Sequence, residues 1–141
     1  MRASEAGTVV VVEDDPSMSQ ALTRILRLGG IAARSYVSAE AWLASEGLTD
    51  ARCLIVDVQL PEMNGFQLRH HLATMGPVPP VIFITAFDSA ESRAQALAAG
   101  AIAFLPKPFA GRTLLEMVRR VLEAREGPPR DALAPAQARG T

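Results

Sequence analysis

The chain alternates short apolar runs with segments of helical periodicity, and this alternation constrains its fold more than any other feature. The apolar runs cover residues 8–12, 53–56, 81–84 and 102–105, and the weaker segment 31–36 reads as an edge strand. After each run, apolar residues recur at helical spacing. Five repeats of a strand followed by a helix predict an α/β fold with a parallel sheet and helices on both faces. The strand order 2-1-3-4-5 is a common arrangement for five such strands.

Several residues predict where the helices begin. Asp15 is a predicted N-cap for the first helix, with Pro16 at its first position. Ser38 is the predicted N-cap of a short second helix. Asp88, followed three residues later by Glu91, predicts a capping pair for the fourth helix.

Length and composition indicate one globular domain. The chain has 141 residues, of which 49% are hydrophobic and 21% charged, and its formal net charge is −1. A near-neutral charge argues against direct DNA binding through a basic surface. A single cysteine, Cys53, excludes a disulfide scaffold. No apolar run approaches the roughly 18 residues that a membrane span needs, and no signal peptide is evident, so the predicted location is cytoplasmic.

The ends of the chain differ in composition from its centre. Nine of the fifteen residues from Gly127 to Thr141 are Gly, Pro or Ala. We therefore predict a disordered N-terminus at 1–6, a folded domain at 7–125 and a flexible linker or tail at 126–141.

Polar side chains stand where the predicted strands end. Glu13 and Asp14 follow the first strand, Asp57 ends the third, Thr85 ends the fourth and Lys107 follows the fifth. These ends should meet at one sheet edge, where neighbouring carboxylates at an effective dielectric constant near 20 repel by roughly 4 kcal/mol. Such a group binds a cation or holds a proton, and oxygen ligands suit Mg²⁺. An ammonium and a hydroxyl can hold phosphate oxygens, and a carboxylate such as Asp57 can be the nucleophile in phosphoryl transfer.

Four stretches carry a resemblance to a known family. Residues 10–16 (VVVEDDP), 57–65 (DVQLPEMNG), 81–86 (VIFITA) and 99–109 (AGAIAFLPKPF) resemble the response-regulator receiver domain of two-component signalling. The resemblance covers about residues 7–125 and is closest to receivers of the FixJ/NarL kind. It implies the flavodoxin-like receiver fold.

The resemblance also implies a phosphoryl acceptor and a metal site. Asp57 would accept the phosphoryl group. Asp14 would bind Mg²⁺ directly, and Glu13 would act mainly through water. Asp57 and the backbone carbonyl of Gln59 would be further metal ligands.

Three further residues match the catalytic and switch positions of the receiver family. Thr85 and Lys107 would contact the phosphoryl oxygens, and Thr85 and Phe104 would form the switch that moves after phosphorylation. The resemblance also implies a cis peptide bond between Lys107 and Pro108.

The partners implied are a sensor histidine kinase as phosphodonor and a protein that binds the face formed by the fourth helix, fifth strand and fifth helix. That protein would be a second copy, giving a homodimer, or an output domain or downstream protein. The chain is expected to lack an output domain of its own, to bind neither DNA nor membrane, and not to be a conventional turnover enzyme. It would catalyse only its own phosphorylation and dephosphorylation.

Three alternatives remain at this point. A hydrolase that forms an aspartyl phosphate needs a second acid two residues after the nucleophile, and Gln59 at that position argues against it. A nucleotide-binding module needs a glycine-rich turn after the first strand, where acids stand instead. A receiver fold could also be an interaction module that works without phosphorylation.

Overall fold

The computed structural model describes residues 8–45 and 50–126 and contains five strands and five helices in strict alternation. The strands are β1 (Thr8–Val12), β2 (Ala32–Tyr36), β3 (Ala51–Asp57), β4 (Val81–Thr85) and β5 (Ala103–Pro106). The helices are α1 (Pro16–Leu28), α2 (Ala39–Leu43), α3 (Gly65–Met75), α4 (Ala90–Ala98) and α5 (Gly111–Glu126). The predicted disordered N-terminus at 1–6 and nearly all of the predicted tail at 126–141 lie outside the described residues, and the domain boundaries stay predictions.

The five strands form one parallel sheet in the order β2-β1-β3-β4-β5, which confirms the predicted fold class and strand order. Asp57 pairs in register with Ile84, and Thr85 pairs with Pro106. The last residues of β3, β4 and β5 therefore lie at the same sheet edge.

Both faces of the sheet are buried along its central strands, and this explains why β1 and β4 read as unbroken apolar runs. Along β3, Leu54 and Val56 pack into a core on one face, whereas Cys53 and Ile55 pack into a core on the other. Residues of α2, α3 and α4 complete the first core, and residues of α1 and α5 complete the second. Among the described residues, no helix is long and apolar enough to cross a membrane.

The N-caps of α1 and α2 are those predicted. The Asp15 carboxylate accepts a hydrogen bond from the backbone N–H of Ser17, and Pro16 opens α1. The Ser38 hydroxyl accepts from the backbone N–H of Ala41. These side chains satisfy amide groups that the first turn of a helix leaves unpaired.

The predicted capping pair of α4 is wrong. Ser89 is the N-cap, and its hydroxyl accepts from the backbone N–H of Ser92 at 3.0 Å. The Asp88 carboxylate is held instead by Arg93, whose Nε and Nη2 donate to it at 2.7 and 3.0 Å. The strand β5 also begins one residue later than predicted, since its register with β4 starts at Ala103, and Ile102 before it is half exposed.

Gly65 brings the start of α3 against the end of β3. A Cβ atom at this position would lie 2.8 Å from the backbone oxygen of Asp57 and 3.1 Å from the Cα of Val58. The backbone N–H of Gly65 donates to the Val58 oxygen at 3.1 Å. Because the two backbones are this close, the loop between β3 and α3 is fixed beside Asp57.

Candidate functional site

Four sequence-predicted site residues lie at or directly after strand ends on one edge of the sheet. Glu13 follows β1, Asp57 ends β3, Thr85 ends β4 and Lys107 follows β5. Glu13, Asp57 and Thr85 are buried, with 1%, 4% and 0% of their surfaces exposed. Buried polar groups of this kind need partners, and each of the three has them.

Lys107 joins the two buried carboxylates. Its Nζ donates to Glu13 Oε1 at 3.0 Å and to Asp57 Oδ2 at 3.2 Å. The lysine side chain is itself largely buried, so solvent screens these contacts only weakly. One ammonium group therefore compensates part of the negative charge of two acids that would otherwise repel each other.

The environment shifts the protonation of both members of the Lys107–Glu13 pair. Burial raises the pKa of Glu13 to about 7, and the nearby charge of Asp57 adds to this rise. Hydrogen bonds from the Asp15 backbone N–H and from Lys107 favour the charged form of Glu13 but do not outweigh burial. Burial alone would lower the pKa of Lys107. The hydrogen bond to Glu13 and the charges of Asp57 and Glu13 outweigh it, so the Lys107 pKa rises. Lys107 thus stays charged, and Glu13 changes charge near neutral pH.

Three acids could together hold a cation. Glu13, Asp14 and Asp57 each offer a carboxylate oxygen, and these oxygens lie within 4.8 Å of one another. Asp14 is exposed, whereas the other two are buried, so the group is open to solvent on one side. A set of oxygen donors with a solvent-facing member fits Mg²⁺, which usually keeps several waters.

Gln59 contacts two other site residues at once. Its backbone N–H donates to Asp57 Oδ1 at 2.9 Å, and this contact orients the carboxylate. Its side-chain Oε1 accepts a hydrogen bond from the Thr85 hydroxyl at 2.6 Å. The Thr85 oxygen in turn accepts from the backbone N–H of Phe87 at 3.0 Å.

The link between Gln59 and Thr85 was not predicted from the sequence. From the sequence, Gln59 is expected to offer its backbone carbonyl to the metal, and its side chain occupies the position at which a hydrolase would need an acid. The pairing of β3 with β4 could have indicated this link, because it brings the residues after Asp57 beside those that end β4.

Phe104 stands apart from the polar cluster. It is half-buried on β5, paired in register with Phe83. The Arg93 guanidinium lies 5.2 Å from the centre of its ring, and Asp88 forms an ion pair with the same guanidinium. The sequence analysis missed this arrangement, since nothing in the spacing of an arginine on α4 indicates an aromatic partner on β5.

The structure thus brings Glu13, Asp14, Asp57 and Lys107 together and connects Thr85 to them through Gln59. The peptide bond between Lys107 and Pro108 is cis, as the resemblance implied.

Comparison with known proteins gives consistent matches over most of the chain. The family model of the response regulator receiver domain matches residues 9–119. The response regulator protein TmoT of Ectopseudomonas mendocina is 34% identical over 119 residues, which are 84% of this chain and 54% of TmoT. The C4-dicarboxylate transport transcriptional regulatory protein DctR of Rhodobacter capsulatus is 37% identical over 134 residues, which are 94% of this chain and 66% of DctR. The chain spans about half the length of TmoT and TodT.

Solved structures agree with these relatives. A response regulator receiver protein from Burkholderia phymatum is 44% identical, with a TM-score of 0.72 over 82% of this chain and 94% of that one. FixJ-N is 32% identical, with a TM-score of 0.74 over 83% of this chain and 94% of FixJ-N. A CheY-like receiver domain protein from Methanospirillum hungatei is 28% identical, with a TM-score of 0.78 over 85% and 96% of the two chains. On this evidence the chain belongs to the response regulator receiver domain family of two-component systems.

Proposed function

We propose that this receiver is a phospho-acceptor and that Asp57 takes a phosphoryl group from a sensor histidine kinase in a Mg²⁺-dependent step. The observation that carries the proposal is the position of the Asp57 carboxylate. It is held by the Gln59 backbone N–H and the Lys107 ammonium, and oxygens of Glu13 and Asp14 lie beside it. Such a site combines a fixed nucleophile with charges of both signs.

In the proposed reaction, an oxygen of Asp57 attacks the phosphorus atom and forms a new P–O bond. The P–N bond to the kinase histidine breaks, and its electron pair leaves with the imidazole. Lys107 compensates charge on a phosphoryl oxygen, and the Thr85 hydroxyl donates to another. Asp14, Asp57 and the Gln59 backbone carbonyl would hold Mg²⁺, with Glu13 acting mainly through water, and the ion would stabilise the charge of the group in transfer.

Water then removes the phosphoryl group in a reaction that the domain itself promotes, so the chain is a timed switch rather than a turnover enzyme. Thr85 and Phe104 would change position when Asp57 is phosphorylated. The face of α4, β5 and α5 would then bind a second copy, an output domain or a downstream protein. A cytoplasmic location fits this function and stays a prediction.

The test is intact-mass analysis after incubation with acetyl phosphate and Mg²⁺. We expect the mass of one phosphoryl group on the wild type, and none on Asp57→Asn or in the presence of a Mg²⁺ chelator. Asp50→Asn is the matched control, since Asp50 is an exposed acid that pairs with Arg34 away from the site.

An adduct that persists in Asp57→Asn would place the acceptor elsewhere. The absence of any adduct on the wild type, with acetyl phosphate and with histidine kinases, would favour an interaction module that works without phosphorylation.

A further inference from the structure

The Gln59 side chain binds the same hydroxyl that the proposed switch requires. Thr85 Oγ1 donates to Gln59 Oε1 at 2.6 Å, which is a short hydrogen bond. Thr85 is fully buried at the end of β4, so this hydroxyl cannot exchange its partner for bulk water.

The number of protons on a hydroxyl limits what Thr85 can do. A threonine hydroxyl has one O–H to donate, and its oxygen accepts through lone pairs. Here the oxygen accepts from the Phe87 backbone N–H, and the single proton goes to Gln59 Oε1 at 2.6 Å, since the other acceptor within reach, the Phe87 carbonyl oxygen, is 3.5 Å away. Thr85 therefore cannot donate to a phosphoryl oxygen on Asp57 until the bond to Gln59 is broken.

Space around Gln59 allows that bond to break without disturbing the core. Gln59 is exposed and lines an open cleft of about 400 Å³ between the β3–α3 loop and α4, together with Asn64, Ser92 and Gln95. Its side chain can turn into this cleft. Its backbone N–H would still hold Asp57, because that contact does not involve the side chain.

We propose that Gln59 is a positioning residue that holds the Thr85 hydroxyl in the resting protein and so opposes binding of a phosphoryl group. The inference rests on the proposed function, because it concerns the same site. It assigns to this glutamine an effect on the switch equilibrium that its backbone carbonyl and N–H do not have. Phosphorylation must supply enough interaction energy at Thr85 to replace the bond to Gln59.

The experiment measures the affinity of beryllofluoride, a phosphoryl analogue, in the presence of saturating Mg²⁺. Gln59→Met keeps the length of the side chain and removes the acceptor. We expect it to bind beryllofluoride about three- to tenfold more tightly than the wild type, which is the usual contribution of one hydrogen bond. Gln95→Met is the matched control, because Gln95 lines the same cleft from α4, and its affinity should equal that of the wild type.

A double-mutant cycle separates this role from a general change in the site. In a Thr85→Val background the hydroxyl is gone, so Gln59→Met should have no further effect. Gln59→Ala provides a second variant if the methionine reduces folding, as judged by circular dichroism. An unchanged or weaker affinity in both Gln59 variants, or a gain that persists in Thr85→Val, would overturn the proposal.

The wild-type titration distinguishes the two possible failures. If the wild type binds no beryllofluoride, the proposed function fails, and the role of Gln59 fails with it. If the wild type binds and Gln59→Met matches Gln95→Met, only the role of Gln59 is wrong.

Discussion

Glu13 is a buried carboxylate whose two oxygens have different partners. Oε2 accepts the backbone N–H of Asp15, and Oε1 accepts the Lys107 ammonium. These contacts do not cancel the cost of burial, because the pKa of the group still rises to about 7. In the metal-free protein, Glu13 thus binds a proton more strongly when folded than when unfolded.

Proton linkage at Glu13 gives a prediction about stability. A folded-state pKa above the unfolded value stabilises the folded protein fully below about pH 4.5, and this stabilisation is lost as the pH rises towards 7. A Glu13→Gln variant cannot ionise at residue 13. We expect the free energy of unfolding of the variant, relative to that of the wild type, to be greater at pH 8 than at pH 5, by up to about 3 kcal/mol.

Urea unfolding with a Mg²⁺ chelator, at pH 5 and at pH 8, measures this difference. The comparison with Glu116→Gln controls for the loss of an acid, since Glu116 is exposed on α5. If the free energies of unfolding of wild type and Glu13→Gln differ by the same amount at both pH values, the raised pKa of Glu13 is contradicted.

The residues of the acidic cluster could be predicted from the sequence, whereas their hydrogen-bond partners could not. Glu13, Asp57 and Lys107 follow apolar runs, and a parallel sheet brings such positions together whatever the side-chain geometry. The bond from Thr85 to Gln59 depends on two rotamers, and periodicity carries no information about rotamers. Their roles in phosphoryl transfer stay predictions.

At the scale of elements, the start of α4 shows how neighbouring polar residues compete for one role. Asp88, Ser89 and Glu91 all have side chains that are common near helix N-termini. Arg93 decides the outcome, because it binds both oxygens of Asp88, and its hydrogen bonds lower the pKa of that carboxylate. Ser89 is then left to accept the amide of Ser92.

This arrangement predicts different costs for two alanine substitutions. Ser89→Ala removes the N-cap and should lower the free energy of unfolding by about 1 kcal/mol. Asp88→Ala removes an exposed, solvent-screened ion pair and should cost less than Ser89→Ala does. Urea unfolding of both variants tests the assignment. If Asp88→Ala costs the more, the sequence-based capping pair would be the better description.

The close contact at Gly65 gives a second prediction for an element. In Gly65→Ala the new Cβ would meet the Asp57 backbone oxygen and the Val56 side chain, so α3 or the end of β3 must shift. We expect a loss of about 1–3 kcal/mol in stability. Gly111→Ala is the matched control, because the atoms nearest to its Cβ would be those of the Ile25 side chain, which can adjust. Equal losses in the two variants would mean that the backbone approach at Gly65 is not the constraint.

Strands buried on both faces could be predicted well from the sequence, and a strand at the side of the sheet, such as β5, less well. Four valines in β1 and the apolar run in β4 have no alternative to burial between two helical layers. The fifth strand has a half-exposed residue at its predicted start, Ile102, so hydrophobicity alone does not indicate where pairing begins.

At the scale of the whole molecule, two of the exposed large apolar residues lie on the face of α4, β5 and α5. Leu97 on α4 is 75% exposed, and Ile102 before β5 is 51% exposed. These two residues line a cleft of about 210 Å³ beside Phe104, and Ile102 also borders a second cleft, of about 390 Å³, against α5. The predicted switch residue Phe104 therefore lies beside the surface that the proposed function assigns to a partner.

This surface predicts self-association that depends on the state of Asp57. A second copy that covers Leu97 and Ile102 would gain by removing their apolar area from water, and the gain would change when Phe104 moves. We expect sedimentation velocity to show a larger species with beryllofluoride and Mg²⁺ than without them.

Leu97→Asp should abolish that species, because it places a charge in the apolar contact. Leu28→Asp, at a leucine of similar exposure at the end of α1, should associate as the wild type does. A wild type that stays monomeric with beryllofluoride bound would assign the face to a different protein, and equal loss in both variants would place the contact elsewhere.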